Sequence, residues 1–172
     1  MSAPSSALVT DTLGPLAPRR ISEPGCHATP GWTGGLLRPV REDYALAPVE
    51  AGFDWARCLA TASGGPWFLV VFRSTRYVDA DGDVLTEFDD EAHLEARDAG
   101  GLRLYFKGVP DAARRCLSLC LWDSAEQAHG ALRLPRHQAA VRIAHRMYER
   151  FALERHIVVR DPDTREVRVS PV

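Results

Sequence analysis

Between Trp67 and Arg160 the spacing of apolar residues switches from strand to helix and back, twice over, and that order admits few folds. A strand is expected over Trp67–Tyr77, an acidic helix over Val84–Ala99 and a strand over Leu102–Lys107. The second half repeats the order, with a strand Arg114–Trp122, a short helix Ser124–Leu132, a longer helix Pro135–Phe151 and a strand Leu153–Arg160. Side chains alternate along a strand and recur every three to four residues on a helix, which is what separates the two patterns.

The resulting β-α-β-β-α-β order is the split βαβ, or ferredoxin-like, arrangement: an α+β fold with an antiparallel sheet and its helices on one face. It carries many unrelated activities, so function has to be argued from a site. Residues 1–50 are rich in Pro, Gly, Ser and Ala with no hydrophobic period, and read as an arm. Trp32, Leu36, Leu37 and Tyr44 suggest that the later half of this arm lies on the core, while 51–172 form the domain proper. The stretch Pro48–Gly65 reads as a loop and one short helix anchored by Phe53 and Trp55.

Two strands set an expectation about assembly. Leu102, Leu104 and Phe106 share one face, as do Leu117, Leu119 and Leu121, and these faces should pack on the helices. Arg103, Tyr105 and Lys107, with Cys116, Ser118, Cys120 and Trp122, make an opposite face too aromatic and thiol-rich for open solvent. A second copy of the sheet is expected to cover it. On the longer helix, Ala140, Ile143, Ala144, Met147 and Phe151 form the core stripe, with His137 and Tyr148 on a flank.

Composition excludes several partners. The formal net charge is −2, which argues against a nucleic-acid binder. Every basic residue but Lys107 is Arg, which fits either codon usage or a preference for forked anion binding. No apolar run reaches the length of a membrane helix, and the N-terminus lacks the basic start and apolar core of a secretory signal. A cytoplasmic address with reduced thiols at Cys26, Cys58, Cys116 and Cys120 is therefore expected. Asp79, Asp81 and Asp83 mimic a calcium loop, but Val84 stands where that loop needs Gly, so an Asp-Gly turn opening a helix is expected instead. No metal site is expected, and the short motifs of nucleotide-binding folds, α/β-hydrolases and zinc proteases are missing.

The titratable residues on or beside apolar stripes are His93 and Glu95 on the acidic helix and His137 on the longer one. A histidine can exchange protons near neutrality, and a carboxylate on an apolar stripe has a raised pKa suited to the same work. His93 and Glu95 are therefore the candidate acid–base pair. Arg103, Tyr105, Trp122, His137 and Tyr148 are the candidates for holding a substrate.

The segments Ala92–Gly108 (AHLEARDAGGLRLYFKG) and Leu117–Arg155, with Leu-Trp-Asp-Ser, Pro-Arg-His-Gln-Ala and Met-Tyr-Glu-Arg-Phe, resemble the dimeric α+β barrel superfamily of antibiotic-biosynthesis-monooxygenase-like proteins. The resemblance covers about residues 66–160 and is strongest to poorly characterised bacterial and fungal members. It implies a homodimer whose two sheets close face to face, with a pocket between each sheet and its own helices. It also implies a small-molecule enzyme of secondary metabolism: a cofactor-independent monooxygenase, cyclase, isomerase or lyase. Two alternatives come with it. One is a haem-binding or haem-processing protein with His137 as iron ligand, and the other is a non-catalytic protein that binds a small ligand in the same cavity.

Overall fold

The computed structural model describes residues 23–172, so expectations for residues 1 to about 20 lie outside the described residues. The elements in chain order are β1 (Gly25–Ala28), α1 (Val49–Gly52), α2 (Trp55–Leu59), β2 (Trp67–Arg76), α3 (Gly82–Ala99), β3 (Leu102–Lys107), β4 (Arg115–Trp122), α4 (Ala125–Ala131), α5 (Pro135–Met147), β5 (Tyr148–Arg160) and β6 (Val167–Pro171). Six strands form one sheet in the order β1-β3-β4-β2-β5-β6, with every neighbouring pair antiparallel. Its four central strands are those of the ferredoxin-like fold, flanked by β1 and β6.

The acidic segment does open a helix, as its Asp-Gly turn predicts. The Asp81 side chain accepts from the amides of Asp83 and Val84, capping α3. At the other end Gly100, at φ 86°, turns the chain sharply into β3 in a conformation that costs a side chain but not glycine.

The two sheet faces are covered differently from what their composition suggests. The leucine face meets the N-terminal segment: Leu37, Val49, Phe53, Trp55 and Leu59 pack with Leu69, Val71, Leu104, Phe106, Leu117, Leu119 and Leu121 in one core. The mixed face, with Phe68, Cys120 and Trp122, meets α3 and α4 through Ala96, Ala128 and Ala131. The thiols and aromatic rings are thus covered by the chain's own helices, and the reason for expecting a second sheet there falls away.

The N-terminal segment is bound tightly enough to be part of the fold. Trp55 Nε1 donates to the Val49 carbonyl at 2.9 Å, and the Gly35 amide donates to the Cys58 carbonyl at 2.7 Å. At Gly34 a Cβ would lie 2.4 Å from the Trp32 ring and 2.6 Å from the Cys58 oxygen, so only glycine lets the segment close on α2. β1 extends the sheet by pairing with β3, which places Cys26 and His27 in a strand. Leu37, Ala45 and Val49 of this segment belong to the core. Within this segment Leu36 is an exception, its side chain remaining exposed.

Three further corrections concern register and length. One extra residue at Arg103 bulges β3, because Leu102 opposes Trp122 while Leu104 opposes Leu121. Leu102 is thereby turned to the helix face, away from Leu104 and Phe106. The last long helix stops at Met147, and Tyr148–Ala152 joins β5. β2 is ten residues long and pairs with β5 from Arg76–Tyr148 to Trp67–Val158. A ladder of that length, joined by the strand-favouring Tyr148 and Phe151, outweighs the helical period. β6 carried no clear signal, being short and largely exposed.

Candidate functional site

The helices stand off the sheet far enough to leave a cavity of about 250 Å³. Phe68, Val70 and Phe72 of β2 and Trp122 of β4 floor it; Leu85, Phe88 and Ala92 of α3 and Ala140, Ile143 and Ala144 of α5 roof it. α5 has the expected amphipathic stripe, but none of its residues is fully buried, since the stripe faces the cavity and not packed side chains. Leu132, Val141, Phe151 and Leu153 line the cavity and are also exposed, so they form its apolar rim.

The polar feature of this apolar space is a pair. Tyr105 Oη donates to Asp89, 2.7 and 2.6 Å from its two carboxylate oxygens, and both residues line the cavity. Behind them Lys107 Nζ lies 3.3 Å from Asp89 and 2.6 Å from Asp90. Burial raises the Asp89 pKa, against the pull of Lys107 and the Tyr105 hydroxyl. Burial likewise pushes the Tyr105 phenol well above its usual value, helped by the Asp89 charge. Tyr105 therefore stays a hydroxyl at neutral pH. Asp89 is open to the cavity over 39 % of its side-chain surface, and its charge reaches His137, Tyr148, Cys116 and Cys120.

Of the residues singled out in the sequence, the structure brings Tyr105, Trp122, His137 and Tyr148 together around this cavity. Burial lowers the His137 pKa, opposed by the nearby Glu95, and pushes the Tyr148 phenol up to about 12. His93 lies behind Tyr105, their ring centroids 4.5 Å apart, in the layer between α3 and the sheet. Burial, then the neighbouring His27, lowers its pKa to about 4, so it is neutral at pH 7. Glu95 points elsewhere, accepting from the Arg136 and His137 amides at 2.9 and 3.2 Å, where it satisfies the first free N–H groups of α5. His93 and Glu95 thus do not form a pair. Arg103 leaves the cavity too, making a two-pronged contact to Asp123 with both bonds at 2.6 Å.

Asp89 escaped the sequence reading although a signal existed. It stands four residues after Leu85 and three before Ala92, a carboxylate on the apolar side of its helix. The same argument was spent on Glu95, which the bend into α5 diverts. His129 is exposed but also lines the cavity, with its ring set edge-on to Phe68.

Among the described residues no group of His, Cys, Asp and Glu could hold a metal ion, and no helix is long and apolar enough to cross a membrane. No curated protein matches the sequence. Solved structures with a similar course of the chain include a dimeric protein of unknown function and ferredoxin-like fold from Bacteroides fragilis. It is 15% identical, with a TM-score of 0.45, over 55% of this chain and 99% of that one. SnoaB, a cofactor-independent oxygenase from Streptomyces nogalater, is 11% identical with a TM-score of 0.44, over 52% and 91%. A protein from Shewanella oneidensis is 12% identical with a TM-score of 0.48, over 61% and 93%. All three likenesses are distant. The sequence pattern of a family matches residues 35–171, which include the N-terminal segment on the leucine face, and the chain belongs to that family, the PB2B2.08-like proteins.

Proposed function

We propose that this protein is a small-molecule enzyme whose Asp89–Tyr105 pair moves a proton on an apolar substrate held beneath α5. The observation that carries this reading is the only-partly-neutralised carboxylate in the wall of a largely apolar cavity. Carboxylates whose pKa is raised by burial and that line a cleft cluster at functional sites. A carboxylate with a raised pKa is a stronger base than an ordinary one, and the phenol beside it can donate a hydrogen bond to the oxygen of an enolate or phenolate as charge develops. A substrate seated beneath the apolar roof would displace water from that charge. Monooxygenation without a cofactor, cyclisation, isomerisation and elimination can all begin with such a proton transfer. A volume of about 250 Å³ lies at the low end of ligand pockets, which span roughly 300–1,000 Å³, and suits a small ring system.

Haem is the second reading, and one observation favours it. His137 lines the cavity with a pKa lowered by burial, so its imidazole is neutral and free to ligate. The space argues the other way, since a porphyrin would require α5 to lift from the sheet.

Anthrone, a planar ring system with an acidic methylene, is a suitable probe. Exchange of its methylene protons in deuterated buffer, followed by NMR, is expected to be faster with the protein than without. Asp89→Asn should reduce that excess by about 10²–10⁴-fold while anthrone still quenches tryptophan fluorescence. Equal exchange by both proteins at equal binding would end the acid–base reading. A Soret band on adding hemin that disappears in His137→Ala would transfer the site to haem.

A further inference from the structure

We infer that the outer edge of β5 joins the same edge of a second copy of this chain, making one sheet continuous across a two-fold axis at Ala152. β5 runs from Tyr148 to Arg160, but β6 pairs only with His156–Arg160. The Val172 amide closes this ladder at the Arg155 carbonyl. Among the described residues, the first half of β5 therefore has β2 on one side and no strand on the other. Backbone groups alternate in direction along a strand. Because the Arg155 carbonyl points to the β6 side, the N–H and C=O groups of Leu153 and Phe151 point out from the same edge. Proteins usually protect such edges with proline, a bulge or inward-pointing charge. Here the middle of the edge is Phe151-Ala152-Leu153, and Phe151 and Leu153 are 41% and 45% exposed.

The sequence Arg150-Phe151-Ala152-Leu153-Glu154 is complementary to its own reverse. In an antiparallel pair, residues directly opposite share a face of the sheet. A two-fold axis through Ala152 places Phe151 opposite Leu153 of the second copy on the cavity face, and Arg150 opposite its Glu154 on the other. Each pairing occurs twice. The backbone geometry agrees with this register. Phe151 and Leu153, whose groups point outward, exchange hydrogen bonds, and Ala152, whose groups point to β2, takes the narrow position between them where a small side chain fits. Slipping the register by one residue would set side chains of opposite faces against each other, and moving the axis to Phe151 or Leu153 keeps the faces matched but takes Arg150 away from Glu154. The contact is isologous, so it closes at two copies. It also bears on the site, since Phe151 and Leu153 belong to the rim of the cavity. The second copy's Leu153 and Phe151 would then lie against that rim.

The full chain, 19.0 kDa as a monomer, is expected to give twice that mass by light scattering. In hydrogen exchange, the Phe151 and Leu153 amides should become more protected as concentration rises, while that of Ala152, already bonded to β2, should not. Arg150→Glu sets Glu against Glu at both symmetric positions and should weaken the dimer at least about tenfold, whereas Arg150→Lys should keep it. Arg150 is exposed, so neither change disturbs the monomer's core. A mass of one chain up to high micromolar concentration would overturn the inference. So would a dimer indifferent to Arg150→Glu, or one in which the Phe151 and Leu153 amides exchange at a rate independent of concentration.

Discussion

Tyr105→Phe tests the electrostatics of the cavity directly. The change removes one oxygen, leaves the ring against His93 and takes from Asp89 the hydrogen bond that holds both its oxygens. A hydrogen bond to a charged group contributes about 1.5–3 kcal/mol. Asp89 keeps Lys107 at 3.3 Å and is reachable by water in the cavity, so the lower end applies. The Asp89 pKa should therefore rise further above its already raised value. The sign for stability follows from linkage. A carboxyl whose pKa is higher folded than unfolded favours the folded state when protonated, and that contribution is lost as pH rises through the folded pKa. The variant should therefore match wild type most closely in acid and fall behind it once Asp89 ionises. ¹³C NMR of the labelled carboxyl gives the titration, and the acid limb of anthrone exchange should move alkaline by the same amount. A well-folded variant in which Asp89 titrates where it does in wild type would show that the hydroxyl does not stabilise the carboxylate, and would remove Tyr105 from the site.

Three further outcomes are expected. His93 has a folded pKa of about 4 against 6.5 for the free group, so the folded state takes up its proton later than the unfolded one, and stability should fall by about 2 kcal/mol between pH 7 and pH 5. Urea unfolding of wild type and His93→Leu at the two pH values checks this, with a much smaller loss in the variant. Glu95→Ala should cost about 1 kcal/mol through loss of the cap on α5, with turnover per folded molecule unchanged; a larger fall in turnover than in stability would restore Glu95 as an acid–base residue. Trp55→Ala, which empties a buried site under the leucine face and strands the Val49 carbonyl, should cost about 3–5 kcal/mol in denaturant unfolding, and a loss under 1 kcal/mol would mean that the N-terminal segment is not held there.

The sequence told more about elements than about faces. Alternation along β2, β3 and β4 and the 3.6-residue period of α3 were readable because each is a local property of a few side chains. Which face met which layer was not, because both faces of β4 are apolar enough to be buried and the decision rests on residues 35–62, far away in the chain. The bulge at Arg103 was invisible for the opposite reason: a single extra residue changes no composition, yet it turns Leu102 to the other side. The site divided in the same way. Tyr105 and Trp122 were found because they stand on the mixed strand face, and His137 and Tyr148 because they flank an apolar stripe. Asp89 and Glu95 carry the same local signal, and only the path of α5 decides that the first faces the cavity while the second caps a helix.

Covering the leucine face from within has a consequence for how two copies can meet. An uncovered sheet face of this composition would have to find another apolar surface, and face-to-face closure of two sheets would supply it. Here Leu37, Val49, Phe53, Trp55 and Leu59 already occupy the space that a second sheet would need. Displacing them would expose these buried side chains and leave the Trp55 indole without the Val49 carbonyl. The other face is taken by α3, α4 and α5. With both faces filled, the unsatisfied backbone of this sheet is confined to its edges, and the β5 edge is the one whose side chains complement their own reverse. Association of two copies through that edge would leave the N-terminal segment in place and set the two cavity rims side by side, so that whatever enters beneath α5 would do so next to the two-fold axis.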